Sequence, residues 1–561
     1  MTAASLPQAV IRAEPDGYDM AKSQLMGRQA AGHGFLRAAV NARAGRAISG
    51  FAPNERAAQG FARIVRGLDP AADVNWIHAD QLGRLTELGV LYLADATVAT
   101  HARLRLRASL TAFSLCGVTH TTASHGAMDE IAALYREAVA PWDALICTST
   151  AVLETVRRVH AAESDYLRWR LGPEVRLPDL PQLPVIPLGV HCDDYAFGDD
   201  LRAQARQALD LAEDVVVGLF VGRLVFHAKA HPYPTLVAFQ KAAERTGRPM
   251  ALIFSGWFPN AEVEAAFRSG AKAFAPDVRV LFLEGREAEQ KTRAWAAADI
   301  FVSPSDNIQE TFGLTPIEAM AAGIPVVVSD WDGYKDTVRD GIDGFRVKTW
   351  APGAGGGQAI ARALETTAYT YDQYCWAAAQ ATAIDVEGFS AAVTRLADNA
   401  DLRRTQGAAG RQRAREVYDW SVVYGQYQAL WSELNARRAA AQTDPRLRAW
   451  VETAPKAAAS RLDPFAIFEH YPTHVVGAQS RLTPASGATA ADLKVLLNHP
   501  LFGALSAPHD LYARLFALAA SGPVSVADAA RTLGSNIPTI VRSAAFLAKL
   551  GLIAFEGISP G

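Results

Sequence analysis

The sequence has few cysteines, no long apolar run and no excess of one charge. Its four cysteines, Cys116, Cys147, Cys192 and Cys375, are far apart and form no C-x-x-C pair. This spacing argues against a disulfide framework or a zinc site and favours free thiols in a reducing cytosol. No apolar run reaches the roughly 18 residues that a membrane helix needs, and the N-terminal stretch lacks the basic start and apolar core of a signal peptide. We therefore expect a cytoplasmic protein without a transmembrane segment.

The charge balance argues against two further classes of protein. The chain carries 55 Lys and Arg against 58 Asp and Glu, a net charge of −3. A nucleic-acid-binding protein usually shows a basic excess, and an acidic interaction tail would show the reverse. A chain of 561 residues is also too long for one hydrophobic core, so we expect two large domains and a smaller third one.

Short apolar runs alternate with helical stretches over most of the chain. In the middle of the sequence these runs are continuous and rich in β-branched residues, as strands buried on both faces are. The alternation predicts βαβ units and an α/β fold with doubly wound parallel sheets. The strands predicted there are 215–224, 250–257, 278–285, 298–305 and 324–330. The first 190 residues repeat the pattern more weakly, with strands expected at 7–14, 143–150 and 183–190.

The same patterns divide the chain into five segments. We expect two Rossmann-like domains that face a cleft, a helix with an aromatic stripe that crosses back to the first domain, a linker, and a small C-terminal domain. After residue 509 the order of helix, Gly-Pro turn, short helix, turn, longer helix and apolar run resembles a winged helix-turn-helix. The predicted segments are residues 1–195, 196–415, 416–440, 441–465 and 466–561.

Two glutamates lie eight residues apart in the stretch 303–333. The residues Thr315-Pro316-Ile317-Glu318 fit a capping box, with Thr315 as N-cap, Pro316 at the first helical position and Glu318 reaching back to the Thr315 N–H. Gly323 is expected to end this helix. A structural role for Glu318 is thus the simpler interpretation from the residues alone.

Glu310 lies outside that cap, in a polar loop that follows a predicted buried strand. The loop should lie at the carboxyl edge of the sheet, where open α/β sheets bind ligands. The N–H groups at 313–317, other than that of proline, begin a helix there and form an anion site. A carboxylate beside an anion site suits a phosphorylated ligand with hydroxyls, although a solvated loop glutamate is an equal alternative.

Two cations follow the first strand of the second predicted sheet. Arg223 comes directly after Gly222, and Lys229 comes six residues later, before a predicted helix. Arginine offers a planar fork to phosphate and lysine a point charge. Their spacing alone also fits two surface cations near a loop.

Taken together, these stretches resemble the donor domain of family-4 retaining glycosyltransferases, which have the GT-B fold. The resemblance is firmest over 215–350 and does not extend beyond about 440. It implies that Glu310 contacts the hydroxyls of the transferred sugar and Glu318 those of the ribose. It also implies that Arg223 and Lys229 neutralise the diphosphate, and that backbone amides hold sugar and phosphate at Phe312, Gly313, Leu314 and Thr315.

The resemblance is weaker over 1–215 but assigns three further residues. The stretch around Gly32 and Gly34 matches the glycine-bearing loop and helix that approach the donor phosphate, although a turn that merely begins a helix is an equal alternative. The stretch 117–126 lies where the family often has a histidine facing the donor sugar. We choose His120, with His125 second, while a lone histidine is more often structural.

The expected reaction is transfer of a sugar from a nucleoside-diphosphate-sugar to an acceptor, with retention of configuration. We expect no cofactor and no metal, because no Asp-x-Asp motif suits a nucleotide-bound cation. The acceptor is not identified by the sequence and could be a glycan, a lipid-linked sugar, a protein or a small molecule. A sugar epimerase or a phosphorylase of the same fold is an alternative, although no pyridoxal lysine can be placed.

Two basic features of the sequence suggest binding functions other than sugar transfer. If residues 103–107, Arg-Leu-Arg-Leu-Arg, form a strand, the three arginines share one face; a solvated face or an ion-paired edge is favoured over an anionic acceptor or membrane surface. The winged-helix-like region could make the chain a sugar-responsive nucleic-acid-binding regulator. Its predicted recognition helix carries only Arg542 and Lys549, so acceptor docking or homodimerisation is favoured.

Overall fold

The computed structural model describes residues 7–20, 27–226, 229–502 and 507–556. The chain divides into two structural units, residues 1–458 and 459–561. The first unit contains two six-stranded parallel sheets, and the second contains a three-stranded antiparallel sheet.

The first sheet is the core of the N-terminal domain. Its strand order is β3-β2-β1-β4-β5-β6, so the direction of winding reverses between β1 and β4. The strands are β1 (Val10–Arg12), β2 (Ile48–Ala52), β3 (Val74–His78), β4 (Val90–Tyr92), β5 (Ser114–Val118) and β6 (Ala144–Ile146). The helices are α1 (Pro15–Tyr18), α2 (Gly27–Asn41), α3 (Glu55–Leu68), α4 (Gly83–Leu88), α5 (Val98–Arg105), α6 (His125–Ala133) and α7 (Thr150–Leu171). The predicted strand at 183–190 forms only isolated bridges, between Val185 and Cys147 and between Val190 and Asp419.

The second sheet repeats this topology, and all five predicted strands are confirmed. Its order is β12-β11-β10-β7-β8-β9, with the reversal between β7 and β10. The strands are β7 (Val216–Val221), β8 (Met250–Gly256), β9 (Val278–Glu284), β10 (Ile300–Ser303), β11 (Val326–Ser329) and β12 (Gly344–Val347). The helices are α8 (Asp199–Ala208), α9 (Pro232–Thr246), α10 (Ala261–Phe274), α11 (Ala288–Ala297), α12 (Leu314–Ala322) and α13 (Tyr334–Thr337).

The chain then leaves the second sheet and returns to the first domain. This part contains the antiparallel pair β13 (Thr349–Trp350) and β14 (Ala383–Ile384), and the helices α14 (Gln358–Glu365), α15 (Tyr371–Gln380), α16 (Val386–Asp398), α17 (Ala400–Arg413), α18 (Trp420–Ala441) and α19 (Pro445–Glu452). The aromatic stripe of α18 packs on Phe35 of α2, with ring-centroid distances of 6.1 Å to Trp420, 5.8 Å to Tyr424 and 5.4 Å to Tyr427. The stripe is therefore core, as the sequence predicts. Within the predicted linker, Trp450 of α19 lies 5.9 Å, ring to ring, from Trp142.

Residues 103–107 are not a strand, because they form the end of α5 and the turn after it. Arg105 and Asp143 are both fully buried and form a two-point ion pair at 2.5 and 2.8 Å. The carboxylate also accepts the N–H groups of Leu115 and Ala140, each at 2.8 Å. Arg105, the last residue of α5, points into the core, whereas Arg107, in the turn that follows, is exposed.

Replacing Arg105 by leucine is expected to lower the free energy of unfolding by about 3–5 kcal/mol, because it leaves the buried Asp143 carboxylate without its cation. Chemical denaturation of Arg105→Leu and of the exposed Arg107→Leu measures the difference. A similar small loss in both variants would contradict the structural role of the buried pair.

The second unit, residues 459–561, is small and mostly helical. It contains β15 (Arg481–Pro484), β16 (Val524–Ser525) and β17 (Ile553–Phe555), with β15 between the other two, and α20 (Pro464–Ile467), α21 (Ala490–Leu497), α22 (His509–Ala520), α23 (Val526–Leu533) and α24 (Ile537–Lys549). The turn between α23 and α24 includes Gly534 in the left-handed conformation. Its core is built on Tyr512, Leu515, Ile540 and Leu547. Among the described residues, no helix of the chain is long and apolar enough to span a membrane.

Candidate functional site

A cleft of about 540 Å³ lies in the first unit and is lined by residues of both parallel-sheet domains. On the side of the second sheet, its walls follow β7 and β10, the two strands at which the winding reverses. Ligands of open α/β sheets bind at this position, outside the carboxyl ends of the strands. The predicted site residues Arg223, Lys229, Glu310 and Glu318 all line the cleft.

The loop between β10 and α12 is held in shape by the last residue of β11 and by a residue that follows the strand. The Ser329 hydroxyl donates to the Ser305 carbonyl at 2.6 Å, and the Trp331 indole N–H donates to the Asn307 carbonyl at 3.0 Å. β10 and β11 are neighbours in the sheet, so these contacts follow from the strand order. The loop is thus preorganised on the rigid sheet.

The N-cap of helix α12 lies two residues before the predicted one, Thr315, so the capping-box prediction is wrong. Its N-cap is Gly313, with φ of 86°, and no side chain among the described residues caps it. Thr315 therefore lies inside the first turn, and Glu318 has no N-cap N–H to accept from at Thr315. Gly323 ends the helix in the left-handed conformation, as predicted. The first amides of α12 consequently face the cleft, which Gly313, Leu314 and Thr315 line.

The cap position can be tested by stability. Thr315→Val is expected to change the free energy of unfolding by less than about 0.5 kcal/mol, since Thr315 is not the N-cap. Asn260 is the N-cap of α10 and accepts the Val263 N–H at 2.9 Å, so Asn260→Ala should cost about 1 kcal/mol. Urea denaturation of both variants distinguishes the two roles. An equal loss in the free energy of unfolding would show that Thr315 does cap the helix.

Glu310 and Lys229 form an ion pair inside the cleft. The Lys229 Nζ lies 2.9 Å from the Glu310 Oε2, and the two side chains are 28% and 11% exposed. Burial pushes the pKa of the Glu310 carboxyl up, but Lys229 and the N–H groups of Thr311 and Phe312 outweigh it, so the pKa is lowered. Glu310 is therefore ionised at neutral pH. The Phe312 side chain itself is buried, against Tyr418.

Arg223 is held by the residue next to Glu310. Its Nη2 donates to the Gln309 Oε1 at 2.7 Å. Burial lowers the pKa of the guanidinium, while Asp372, Tyr371 and Glu310 act in the opposite direction. An arginine remains protonated under these conditions, so Arg223 joins Lys229 as a second cation that follows β7 and lines the cleft.

Glu318 lies in the first turns of α12, beside Tyr195. Burial, and then the Glu318 carboxylate, raises the pKa of the Tyr195 hydroxyl well above its usual value. The hydroxyl thus stays protonated and donates to Glu318. With no capping role, this carboxylate keeps acceptor capacity toward the cleft.

The N-terminal domain contributes His120, whereas His125 is exposed at the start of α6 and does not line the cleft. Burial lowers the pKa of His120 to about 4, so its imidazole is neutral at pH 7. The backbone of His120 also holds the loop between β10 and α12, because its carbonyl accepts the Thr311 hydroxyl at 3.0 Å. The Ser149 hydroxyl donates to the Thr311 carbonyl at 2.8 Å. The two domains therefore meet at the residue that follows Glu310.

Gly32 and Gly34 do not line the cleft, because both lie inside α2 at packing contacts. A Cβ at Gly32 would be 2.0 Å from the Gly17 carbonyl oxygen, and one at Gly34 would be 2.4 Å from the Trp420 indole nitrogen. The cleft is lined instead by Gly27 and Arg28 at the start of the helix. The motif thus marks the helix correctly, but Gly27, rather than Gly32 or Gly34, lines the cleft. The first residues of that motif, 24–26, lie outside the described residues.

Sequence reasoning missed several cleft residues. Trp257 and Arg286 follow β8 and β9, and the guanidinium lies 5.7 Å from the indole centroid. Tyr371 reaches the cleft from α15. Asp332 is not among the lining residues, but burial and then the Glu310 carboxylate raise its pKa to about 8. Trp257 and Arg286 could have been predicted because the first ends a predicted strand and the second directly follows one, but no local sequence signal marks Tyr371.

Residues 202–364 match the family described as Glycosyl transferases group 1. That segment holds Arg223, Lys229, Glu310 and Glu318. The D-inositol 3-phosphate glycosyltransferase of Nocardia farcinica is 33% identical over 177 residues, which cover 30% of this chain and 37% of the relative. The enzyme of the same name from Rhodococcus erythropolis is 27% identical over 256 residues, 43% of this chain and 52% of the relative. The chain thus spans about a third to a half of the length of these curated relatives.

Two solved structures also resemble the chain. HepE from Anabaena in complex with UDP has a TM-score of 0.47 and 17% identity, covering 76% of this chain and 100% of that one. Sucrose-phosphate synthase from Thermosynechococcus elongatus has a TM-score of 0.47 and 18% identity, covering 77% and 100%.

Proposed function

We propose that the protein is a retaining glycosyltransferase of the family-4 type that moves a sugar from a nucleoside-diphosphate-sugar to an acceptor without a metal. The family match over the second sheet and the names of the relatives support the reaction class. The observation that carries the proposal is the Lys229–Glu310 pair, placed at the N-terminus of α12 and at the winding reversal of the sheet.

The cations and the helix start are suited to a diphosphate leaving group. Negative charge develops on the diphosphate as the bond to the sugar breaks. Arg223, Lys229 and the amides at Gly313, Leu314 and Thr315 present positive charge to one part of the cleft. Such preorganised charge in a partly dry site stabilises the transition state without a metal ion.

The two glutamates have different roles in this proposal. Glu310 is ionised, and its carboxylate accepts hydrogen bonds from the hydroxyls of the transferred sugar and orients it. Glu318, near Tyr195, accepts from the ribose hydroxyls. Neutral His120 on the opposite wall contacts the sugar, whose anomeric carbon becomes oxocarbenium-like. In this proposal the leaving phosphate takes the acceptor proton on the same face, and the Thr311 contacts to the N-terminal domain keep the cleft closed to water.

A panel of nucleotide sugars tests the donor class. Thermal unfolding in the presence of UDP-, GDP- and ADP-sugars should identify one base, because a ligand at a hundred times its Kd adds about 2.7 kcal/mol of stability. Nucleotide release with and without candidate acceptors, a phosphorylated polyol among them, then separates transfer from donor hydrolysis. No stabilisation by any member of the panel would contradict the proposal.

The same assay discriminates the other enzymes of this fold class. An epimerase would convert the sugar or release nucleotide without an acceptor, and a phosphorylase would require inorganic phosphate. Release of nucleotide that depends on an acceptor supports transfer. The four buried cysteine thiols fit a reducing compartment, and we propose a cytoplasmic location.

For the C-terminal unit we propose a winged-helix-like fold that serves acceptor docking or dimerisation. Support comes from the α22-β16-α23-α24-β17 order and from α24, where Arg542 and Lys549 are the basic residues. Sedimentation of the full chain with and without duplex DNA tests this role. A salt-dependent DNA complex would overturn it in favour of a regulator.

A further inference from the structure

A row of side-chain hydrogen bonds begins at Arg223 and crosses the cleft to Thr121. Arg223 Nη2 donates to the Gln309 Oε1 at 2.7 Å, and the Gln309 Nε2 donates to the Tyr371 hydroxyl at 2.9 Å. The Tyr371 oxygen lies 3.4 Å from the Thr121 Oγ1. All four side chains line the cleft. These hydrogen bonds therefore connect Arg223, which follows β7, with Thr121 in the loop after β5, and Tyr371 of α15 lies between them.

We infer that Tyr371 is a positioning residue, which sets the orientation of the Gln309 amide and thereby aims the Arg223 guanidinium at the diphosphate subsite. This inference rests on the proposed function for the identity of the anion. Tyr371 lies outside the segment 202–364 that matches the glycosyl transferases group 1 family. Tyr371 is placed by the segment between β13 and β14, which contains α14 and α15.

The amide of Gln309 explains how the tyrosine acts at a distance. A primary amide has an acceptor end and a donor end, which differ only by rotation about one bond. Because Nε2 donates to Tyr371, the oxygen faces Arg223. Without the tyrosine hydroxyl the amide is free to rotate and to present N–H groups to the guanidinium, which has no acceptor. The guanidinium would then turn away from its present position.

The tyrosine is suited to this task because its hydroxyl keeps its proton. Burial raises the pKa of Tyr371 to about 12, so the hydroxyl is protonated at neutral pH. Its oxygen accepts from the Gln309 Nε2 and lies 3.4 Å from the Thr121 Oγ1. Thr121 belongs to the opposite wall, next to His120. The orientation of Arg223 is therefore sensitive to the approach of the N-terminal domain.

Binding of inorganic pyrophosphate, measured by calorimetry on the full chain, tests this without a known acceptor. Tyr371→Phe and Gln309→Leu should each weaken pyrophosphate binding by about fivefold, the range expected for loss of one oriented hydrogen bond. Tyr374→Phe makes the same chemical change one turn later in α15 and should leave affinity unchanged. Thermal unfolding of each variant checks that it is folded.

The decisive comparison is made in the Arg223→Ala background. If Tyr371 acts through Arg223, Tyr371→Phe has no further effect on pyrophosphate affinity there. An equal weakening in both backgrounds, or no weakening in Tyr371→Phe alone, would overturn the inference. If pyrophosphate binding follows the expected pattern and no nucleotide sugar is turned over, the proposed function fails while the positioning role of Tyr371 stands.

Discussion

Replacing Lys229 by alanine is expected to reduce sugar transfer by at least about a hundredfold while the protein remains folded. The ammonium group lies 2.9 Å from the Glu310 carboxylate and is one of the two cations that follow β7. Its removal takes charge stabilisation from the diphosphate and leaves Glu310 buried without its cation. Nucleotide release under acceptor saturation measures the loss, and circular dichroism checks the fold.

The loss should also depend on pH. In the intact protein Lys229 and the backbone amides lower the Glu310 pKa against the effect of burial. Without Lys229, only the backbone amides oppose the effect of burial, so the pKa of Glu310 rises. The residual activity of Lys229→Ala should therefore increase with pH, as Glu310 ionises, over a range in which Glu310 of the intact protein is already ionised.

A lysine on the outer surface provides the control. Lys241 of α9 forms an ion pair with Glu387 at 2.9 Å, and the two side chains are 38% and 62% exposed. Surface pairs contribute little to stability, so Lys241→Ala should retain full turnover. Glu310→Ala should lose activity as Lys229→Ala does. Full activity in both Lys229→Ala and Glu310→Ala would show that the site has been assigned wrongly.

Gly313→Ala is expected to lower the free energy of unfolding by about 3 kcal/mol and to abolish donor binding. At φ of 86° an L-residue is strained, and its Cβ would lie 2.0 Å from the Tyr334 Cε1. The Tyr334 hydroxyl bonds the buried Ser303 Oγ at 2.7 Å, so the ring cannot move without loss of that bond. The displaced turn would also shift the first amides of α12. Denaturation and nucleotide-sugar titration measure the two effects.

Gly341 separates backbone strain from the clash. Its φ is 75°, and a Cβ added there would have no described atom beyond its chain neighbours within 4 Å. Gly341→Ala should therefore cost only the strain of the left-handed conformation, about 1 kcal/mol, with donor binding unchanged. Equal losses in Gly313→Ala and Gly341→Ala would mean that the Tyr334 ring adapts and that the turn tolerates a side chain.

Much of the second domain is predictable because its signals are local. Continuous apolar runs predict β7 to β11 correctly, since strands buried on both faces need apolar side chains at every position. Gly323 is placed correctly because a left-handed helix end favours glycine. The N-cap of the same helix is Gly313 rather than Thr315. The Thr-Pro-Ile-Glu pattern fits the capping-box consensus, but the helix begins at Leu314, after a loop that Trp331 and Ser329 hold in place.

The N-terminal domain shows where local patterns fail. Residues 103–107 alternate arginine and leucine with the period of a strand, yet they end a helix. The reason is Asp143, 38 residues away from Arg105, whose buried carboxylate requires a buried cation at that position. Similarly, Gly32 and Gly34 match a ligand-binding motif, but the neighbouring backbone of Gly17 and the ring of Trp420 occupy the space that would hold their side chains.

The sequence by itself determined the α/β class, five of the six strands of the second sheet, the aromatic helix α18 and the residue types of the cleft. These depend on hydrophobic period and on short motifs, which are properties of neighbouring residues. Only the tertiary structure decided which of the polar residues meet. Lys229 and Glu310 are 81 residues apart and approach because β7 and β10 pair, and Tyr371 reaches Gln309 across 62 residues because α15 returns to the cleft. Such contacts follow from strand order and helix packing, which no single stretch of sequence contains.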